Sequence, residues 1–329
     1  MQTTIEMFSD RRKLRRRVNG IAAALLPFNA DGTVAVEAFQ QHLRRTHQAG
    51  LMNAVNMDTG YVNLLTEAQK KDVLQWTREA LGEGVPFVAG AYIEGQSGDL
   101  VTLYRLQMDS IKQLGGTPIL FQTARLQGGT PTEKAQAYRW ICEGFGEVLA
   151  FELSPRFAGN GEIFDEETFL RLMDIPAIKG LKHSSLDRSI EFKRLTLRDK
   201  HRSEFSIYTG NDLGIDMIEY GSDYLLGLAT FAPERFAERD RLWEQDDATY
   251  YQISDALQHL GNLSFRDPLP AYKHSAATFL FMTGRIPTPS AHPKSATRPV
   301  WEIEILRDCA ARLGLPIVNT ECPECDRGA

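Results

Sequence analysis

The chain has 329 residues, 43% of them hydrophobic and 24% charged, the balance of an ordinary soluble globular protein with enough length for a sizeable core. A formal net charge of −6 gives no electrostatic reason to expect nucleic acid or an anionic membrane as partner. Four cysteines are too few for a disulfide framework and no apolar run reaches membrane-spanning length, so a cytoplasmic protein is expected.

The first feature along the chain is the basic stretch RRKLRRR (11–17). It is read as part of a solvated arm over residues 1–17 rather than a nucleic-acid or targeting patch, and no secretory apolar segment accompanies it. From residue 18 short apolar runs alternate with amphipathic ones. GIAAALLPF (20–28) is followed by the turn Pro27-Phe-Asn-Ala-Asp-Gly32, which is not the GxGxxG of a dinucleotide fold. VEAFQQHLRRTHQAG (36–50) puts Phe39, Leu43 and His47 on one helical face and stops at a glycine. MNAVNM (52–57) precedes Thr66-Glu-Ala-Gln69, which has capping-box spacing. PFVAGAY (86–92), a helix over 100–115, TPILFQ (117–122), EVLAFEL (147–153), a helix over 166–174, AIKGLKHSS (177–185), FSIYTGN (205–211) and YLLGLAT (224–230) continue the alternation.

Eight runs that are apolar on both faces, each followed by a helix or a helix-sized interval, suit a parallel sheet covered by helices. The pattern predicts an α/β fold, a (β/α)8 TIM barrel over residues 18–232. Helical segments at 233–260, 268–283 and 297–313 have no strands between them and predict a C-terminal helical extension over 233–315. A tail follows over 316–329. It carries Cys322-Pro-Glu-Cys325, half the spacing of a zinc site without a second half nearby, so no metal is expected there.

Lys182 sits in the middle of the apolar run Ile178-Lys-Gly-Leu-Lys-His-Ser-Ser185, near the C-terminal end of the sixth strand. That end of a barrel forms the active-site mouth. Burial disfavours an ammonium and lowers its pKa, and a neutral amine attacks carbonyls to form a Schiff base. A lysine that snorkels to solvent from a strand end is the other reading of the same stretch.

Around this lysine the sequence resembles the dihydrodipicolinate synthase/N-acetylneuraminate lyase family of Schiff-base aldolases and hydro-lyases, over about residues 18–315. Gly180-Leu-Lys182-His-Ser-Ser185 matches the family's lysine strand. Met57-Asp-Thr-Gly-Tyr61 aligns with its G-T/S-T/S-G-E loop, Thr209-Gly-Asn-Asp212 with its S-G-D-D segment, and Gly221 to Gly227 with the following strand. Asp267-Pro-Leu-Pro-Ala-Tyr-Lys273 and Arg285-Ile-Pro-Thr-Pro289 are similar to family segments too.

The resemblance implies an imine-forming Lys182, a substrate carboxylate held by Thr59 and neighbouring N–H groups, and backbone freedom at Gly60. It also implies a homo-oligomer, tetramer or dimer, and no cofactor. Three departures stand out. Asp58 replaces the first hydroxyl residue of the loop, where it repels a keto-acid carboxylate unless paired, accepts hydrogen bonds from a polyol, or acts as general acid/base. Tyr61 replaces the family glutamate and is expected to present a hydroxyl at the mouth. The proton-shuttling tyrosine of the fifth strand is Phe151, which carries no proton; the tyrosine that reaches a neighbouring subunit is absent from Gln122-Thr-Ala-Arg125, where Ala124 stands.

Gln122, Asn211 and Gly227 are further substrate-binding candidates. Arg156 aligns with an arginine that contacts a substrate carboxylate in some members; it is also placed to pair with Asp58 or Glu152. Strand alternation turns His183 and Glu152 away from the lysine's face. The leading expectation is a lyase that forms an imine between Lys182 and a small 2-keto acid or sugar-derived keto acid, for aldol cleavage, condensation or dehydration. Two others remain: a barrel that binds such a ligand with little catalysis, motivated by Phe151, and a metal-assisted enzyme, against which the seven histidines form neither HxH nor HExxH.

Overall fold

A computed structural model describes residues 11–319. The Cys322/Cys325 motif and residues 1–10 lie outside them.

Eight parallel strands close into a barrel in sequence order, β8 pairing back onto β1. They are β1 Gly20–Ala23, β2 Met52–Val55, β3 Phe87–Ala91, β4 Gly116–Leu120, β5 Val148–Leu153, β6 Ile178–Ser184, β7 Ser206–Thr209 and β8 Asp223–Leu226. Six fall inside their apolar runs, while β4 and β8 begin one residue before theirs, at Gly116 and Asp223; all the runs except that of β5 continue into the loops at the mouth. Around the strands lie α1 Val36–Gln48, α2 Glu67–Leu81, α3 Leu100–Gln113, α4 Pro131–Cys142, α5 Glu166–Met173 and α6 Arg188–His201. Only a 3-10 helix, Ile215–Tyr220, joins β7 to β8. The ring takes a further helix, α7 Pro233–Gln245, from the stretch that the sequence assigns to the extension; Glu234 of α7 pairs with Arg45 of α1. Then come α8 Thr249–Ser264, α9 Tyr272–Met282 and α10 Glu302–Arg312.

Helix starts follow local chemistry. Thr66 with Gln69 and Thr130 with Glu133 close full capping boxes, satisfying N–H groups that a helix leaves unpaired. Asp99, Asp165 and Asp187 cap α3, α5 and α6.

Two-residue alternation sorts the strands into two cores. Ile21, Ala23, Ala54, Val88, Ile119, Leu149, Phe151 and Leu225 fill the barrel's interior. Their neighbours, such as Ala22, Val55, Ala89, Leu120, Ala150 and Leu181, pack against the helices. The basic stretch at 11–17 is folded onto this body. Arg12 pairs with Glu219, Arg15 with Asp246 and Arg16 with Asp223, while Arg11 donates to Thr196. Residues 11–17 are thus held against the barrel by pairing with the protein's own acids, not extended as the free solvated arm that the sequence suggests.

His183 and Glu152 lie on the outer face, as alternation requires, and both are fully buried between strands and helices. Glu152 Oε1 is 2.5 Å from His183 Nδ1, and both carboxylate oxygens accept 2.9 Å bonds from the fork of Arg194 on α6. Phe164 N–H also donates to Oε2, at 2.9 Å. Burial alone would push the Glu152 carboxyl up; His183 and Arg194 outweigh it and bring it down to about 2.

Removing Arg194 therefore leaves a buried carboxylate without its fork. Arg194→Met should lower stability by about 3–5 kcal/mol in denaturant unfolding. Because the folded pKa is depressed, the stability Glu152 contributes is present above its unfolded value, near 4.5, and is lost as pH falls towards about 2. The acid-unfolding profile of Arg194→Met should therefore flatten in that window; a profile identical to the parent's would contradict the account.

Candidate active site

Lys182 points into the barrel from the C-terminal end of β6. The strand register sets Phe151 of β5 beside it on one side and Tyr208 of β7 on the other. Its Nζ lies 4.4 Å from the centre of the Phe151 ring, and the side chain is only 8% exposed. Room for the amine comes from Gly210, where a Cβ would stand 2.8 Å from Lys182 Cε and closer still to Ser184 Oγ. Burial lowers the Lys182 pKa to about 8, against the charges of Asp212 and Asp58, which raise it.

Asp212 sits in the turn after β7, 4% exposed. Burial pushes its carboxyl up to about 7, although a 2.7 Å bond from Leu228 N–H and the charge of Lys182 favour the ionised form. A buried amine brought down and a buried acid brought up thus meet near neutrality. Perturbations of this kind mark groups fitted for proton transfer.

Asp58, Thr59 and Gly60 form a 3-10 turn after β2. Asp58 is not free: Lys273 Nζ reaches its two oxygens at 3.1 and 3.2 Å, and Tyr272 Oη donates to Oδ2 at 2.9 Å. The carboxylate that the sequence leaves unpaired is neutralised by a lysine of α9. Thr59 Oγ1 is 2.9 Å from Tyr272 Oη, and with Tyr272 donating to Asp58 the threonine hydroxyl donates to the phenol. Gly227, just after β8, makes this approach possible. A Cβ there would come within 3.1 Å of Thr59 Oγ1, 3.2 Å of the Tyr272 ring and 3.3 Å of Phe265. Tyr272 is stacked on Phe265, ring centres 4.3 Å apart.

Other expected residues sit differently. Tyr61 presents no hydroxyl at the mouth: it is wholly buried, edge-on to Phe28 at 5.5 Å and beside His292 and Lys273. Gly60 adopts no positive φ; the left-handed residue of the turn is Tyr61, at φ 59°. Gln122 is a loop fastener, its side-chain oxygen accepting from Leu153 N–H at 3.1 Å and Glu162 N–H at 3.0 Å. Asn211 is buried, and its Oδ1 closes a turn by accepting from Leu213 N–H. Arg156 pairs with neither Asp58 nor Glu152. It is 57% exposed and lies 3.4 Å from Asp267, the residue that begins the segment leading to α9.

The structure thus brings Lys182, Asp212, Asp58, Thr59 and Gly227 to one end of the barrel and adds Tyr272 and Lys273, which sequence reasoning left out. Asp212 lies one residue beyond Asn211, in a segment already singled out. Tyr272 and Lys273 lie in the quoted stretch 267–273, but nothing in their spacing says that this stretch folds back over the β2 loop. Among the described residues no group of three His, Cys, Asp or Glu side chains is gathered as a metal ion would need, and no helix is long and apolar enough to cross a membrane.

No model of a known protein family matches the chain. Among curated proteins it is similar to the 4-hydroxy-tetrahydrodipicolinate synthase of Kosmotoga olearia, 23% identical over 222 residues, 66% of this chain and 72% of that one. It is similar also to that of Synechococcus elongatus, 25% identical over 305 residues, 90% of this chain and 96% of that one. Among solved structures, dihydrodipicolinate synthase from Thermotoga maritima superposes with a TM-score of 0.78 at 19% identity, covering 92% of this chain and all of that one. A prophage protein of the dihydrodipicolinic acid synthase family from E. coli K12, in complex with pyruvate, gives 0.77 at 15% identity, covering 91% and 99%. The sequence comparison and the fold comparison agree: the chain is similar to dihydrodipicolinate synthases, shares their (β/α)8 fold, and is an enzyme of the lyase class.

Proposed function

We propose that the chain forms a Schiff base between Lys182 and a small 2-keto acid or sugar-derived keto acid, and breaks or makes a bond beside the former carbonyl. The observation that carries this reading is the buried Lys182 amine, brought down to about 8, next to the Asp212 carboxyl, brought up to about 7. Near neutral pH Asp212 takes a proton from the lysine ammonium, the freed amine attacks, and a second proton passes from nitrogen to the carbonyl oxygen to give the carbinolamine hydroxyl. Asp212 then returns its proton to that hydroxyl, which leaves as water while the nitrogen lone pair forms C=N. The resulting iminium draws electrons from the neighbouring carbon, so no Lewis acid is needed for cleavage, condensation or dehydration.

One structural neighbour named above is a complex with pyruvate, which supports a 2-keto acid as the carbonyl partner. The pairing of Asp58 with Lys273 removes the repulsion that a lone carboxylate would exert on a keto-acid carboxylate. It leaves the pair able to meet hydroxyl groups of a longer, sugar-derived substrate. A homo-oligomer, dimer or tetramer, in the cytoplasm belongs to the same reading.

Intact-mass analysis after borohydride reduction tests it. Across a panel of 2-keto acids and keto-sugars, at least one should add its reduced mass to the protein once, on the peptide that contains Lys182. Lys182→Ala should lose the adduct entirely, and labelling that persisted in that variant would move the chemistry elsewhere. Trapping without released product would instead favour a barrel that binds carbonyl ligands with little turnover.

The amine's pH dependence offers a separate check. Acylation of Lys182 by a small amine-reactive acylating agent should rise with a midpoint near pH 8, well below that of surface lysines. Asp212→Asn removes a charge that raises the lysine's pKa, so the midpoint should move lower. Imine formation at pH 7 should nevertheless slow about 10²–10⁴-fold, because the proton carrier is gone. A variant that formed imine at the parent rate would exclude Asp212 from the step.

A further inference from the structure

The reading above leaves the second proton transfer without a carrier. After the imine forms, a proton must leave the substrate and later return, and the strand position aligned with the family's tyrosine is Phe151. Its ring lies over Lys182 Nζ and 4.9 Å from the ring of Phe121, inside an apolar cluster. Gln122 is held by backbone groups and Tyr61 is packed away from the mouth. Tyr208, the other neighbour of Lys182 in the sheet, has its phenol pushed up by burial and bonded towards Ser206, at the opposite end of β7 from the mouth.

Tyr92 faces Phe121 and Lys70 and makes no bond to Asp58 or Thr59; the phenol of Tyr272 does. Tyr272 of α9 enters between the loop after β2 and the loop after β8, in contact with Thr59 and against the bare backbone of Gly227. Lys182 and Tyr272 both lie in the fields of the same two carboxylates, Asp58 and Asp212. Tyr272 Oη has a donor on one side, Thr59 Oγ1, and an acceptor on the other, Asp58 Oδ2, each at 2.9 Å. Lys273 balances the charge of that acceptor from 3.1 Å. Burial, and then the Asp58 charge, hold the phenol protonated, so an isolated phenolate is not the working form. A tyrosine fixed between a hydroxyl and a carboxylate can instead pass a proton through itself without ever carrying the charge.

We propose that Tyr272, reaching the barrel from the C-terminal helices, is the catalytic hydroxyl of this site, with Asp58 as the terminal proton acceptor. The inference rests on imine formation at Lys182. In the step it performs, a proton on the carbon beside the iminium moves to Tyr272 Oη as the phenol's own proton moves to Asp58 Oδ2. The C–H electron pair becomes the C=C bond of the enamine, and the C=N pair moves onto nitrogen. For a substrate that undergoes aldol cleavage, the same relay takes the proton of the hydroxyl whose C–C bond breaks. The reverse transfer restores Asp58 and Tyr272. Thr59 orients the phenol by donating to it, and Lys273 positions the carboxylate.

The test uses the full-length chain and pyruvate. Two readouts are taken on the same samples: borohydride trapping on Lys182, and exchange of the pyruvate methyl protons with D2O followed by NMR. The parent should show both. Tyr272→Phe keeps the ring, its stack on Phe265 and the packing at Gly227; it should trap imine to a similar extent while exchange falls at least about 100-fold. Asp58→Asn keeps a hydrogen-bond acceptor for the phenol and removes the proton acceptor. It should show the same split between retained trapping and lost exchange, and it decides the matter even where Tyr272→Phe fails to fold. The double variant Phe151→Tyr/Tyr272→Phe, which moves a hydroxyl back to β5, should recover part of the exchange. Exchange within about threefold of the parent in either single variant would overturn the proposal. Where pyruvate does not trap but another member of the panel does, exchange is followed at the carbon beside that member's carbonyl; a parent protein that trapped imine with no member of the panel would overturn the underlying lyase reading, on a readout distinct from exchange, and this inference with it.

Discussion

Dehydration of one amine is the constraint around which the rest of the molecule is arranged. Bringing a lysine from 10.5 to about 8 means that its protonated form is held roughly 3 kcal/mol less comfortably than in water. The barrel imposes this by geometry. Strand register seats an aromatic ring beside Lys182, Gly210 just after β7 leaves the methylene stem its path, and the side chain is only 8% exposed. The nearby carboxylates limit the effect: without Asp212 and Asp58 the amine would be lowered further. Asp212 is subject to the same dryness with the opposite sign, so one physical cause drives an acid and a base towards each other. The outer face of β5 and β6 answers a different need. There Glu152, His183 and Arg194 meet in full burial with their hydrogen bonds satisfied, which fixes the two strands that set Phe151 and Lys182 side by side.

Much of the fold was legible because its signals are local. A parallel barrel strand is apolar on both faces, so each of the eight runs announced itself, and capping residues such as Thr66 marked where helices begin. Alternation also placed Phe151 and Lys182 inward and His183 and Glu152 outward. The site was legible only where it depends on strand position. The sequence singles out Asp58 but not its partner, because the Asp58–Lys273 pair joins positions 215 residues apart. Tyr61 misled for a related reason. A tyrosine in a loop at the mouth reads as a presented hydroxyl, yet the left-handed backbone at that residue turns the ring inward against Phe28 and His292. Gln122 and Asn211 read as polar groups near strand ends, and Arg156 as the counterpart of a carboxylate-binding arginine. The first two are taken up in holding loops, and the third lies out in solvent near Asp267.

Asp212 shows the limit of reading one residue at a time. Its neighbour Asn211 has the more versatile side chain for binding, and the pair looks interchangeable on paper. Packing separates them: Asn211 turns back on its own loop, whereas Asp212 bonds to Leu228 N–H in the loop after β8. Burial then changes its acidity, a property that composition and spacing do not carry. The loss of a tyrosine at position 151 has a similar lesson. It reads as the dismantling of a relay only if the hydroxyl must come from the same strand, and the convergence of Thr59, Gly227 and Tyr272 supplies one from another part of the chain.

The contact between the β2 loop and α9 has a temporal side. Asp58 emerges from the ribosome early, while Tyr272 and Lys273 are synthesised more than two hundred residues later. Until they arrive, the loop after β2 holds an acid without this counter-ion and a threonine without a phenol to orient. On the proposed reading, Lys182 thus belongs to the part of the chain made early, and the groups that make its condensation productive belong to the part made last.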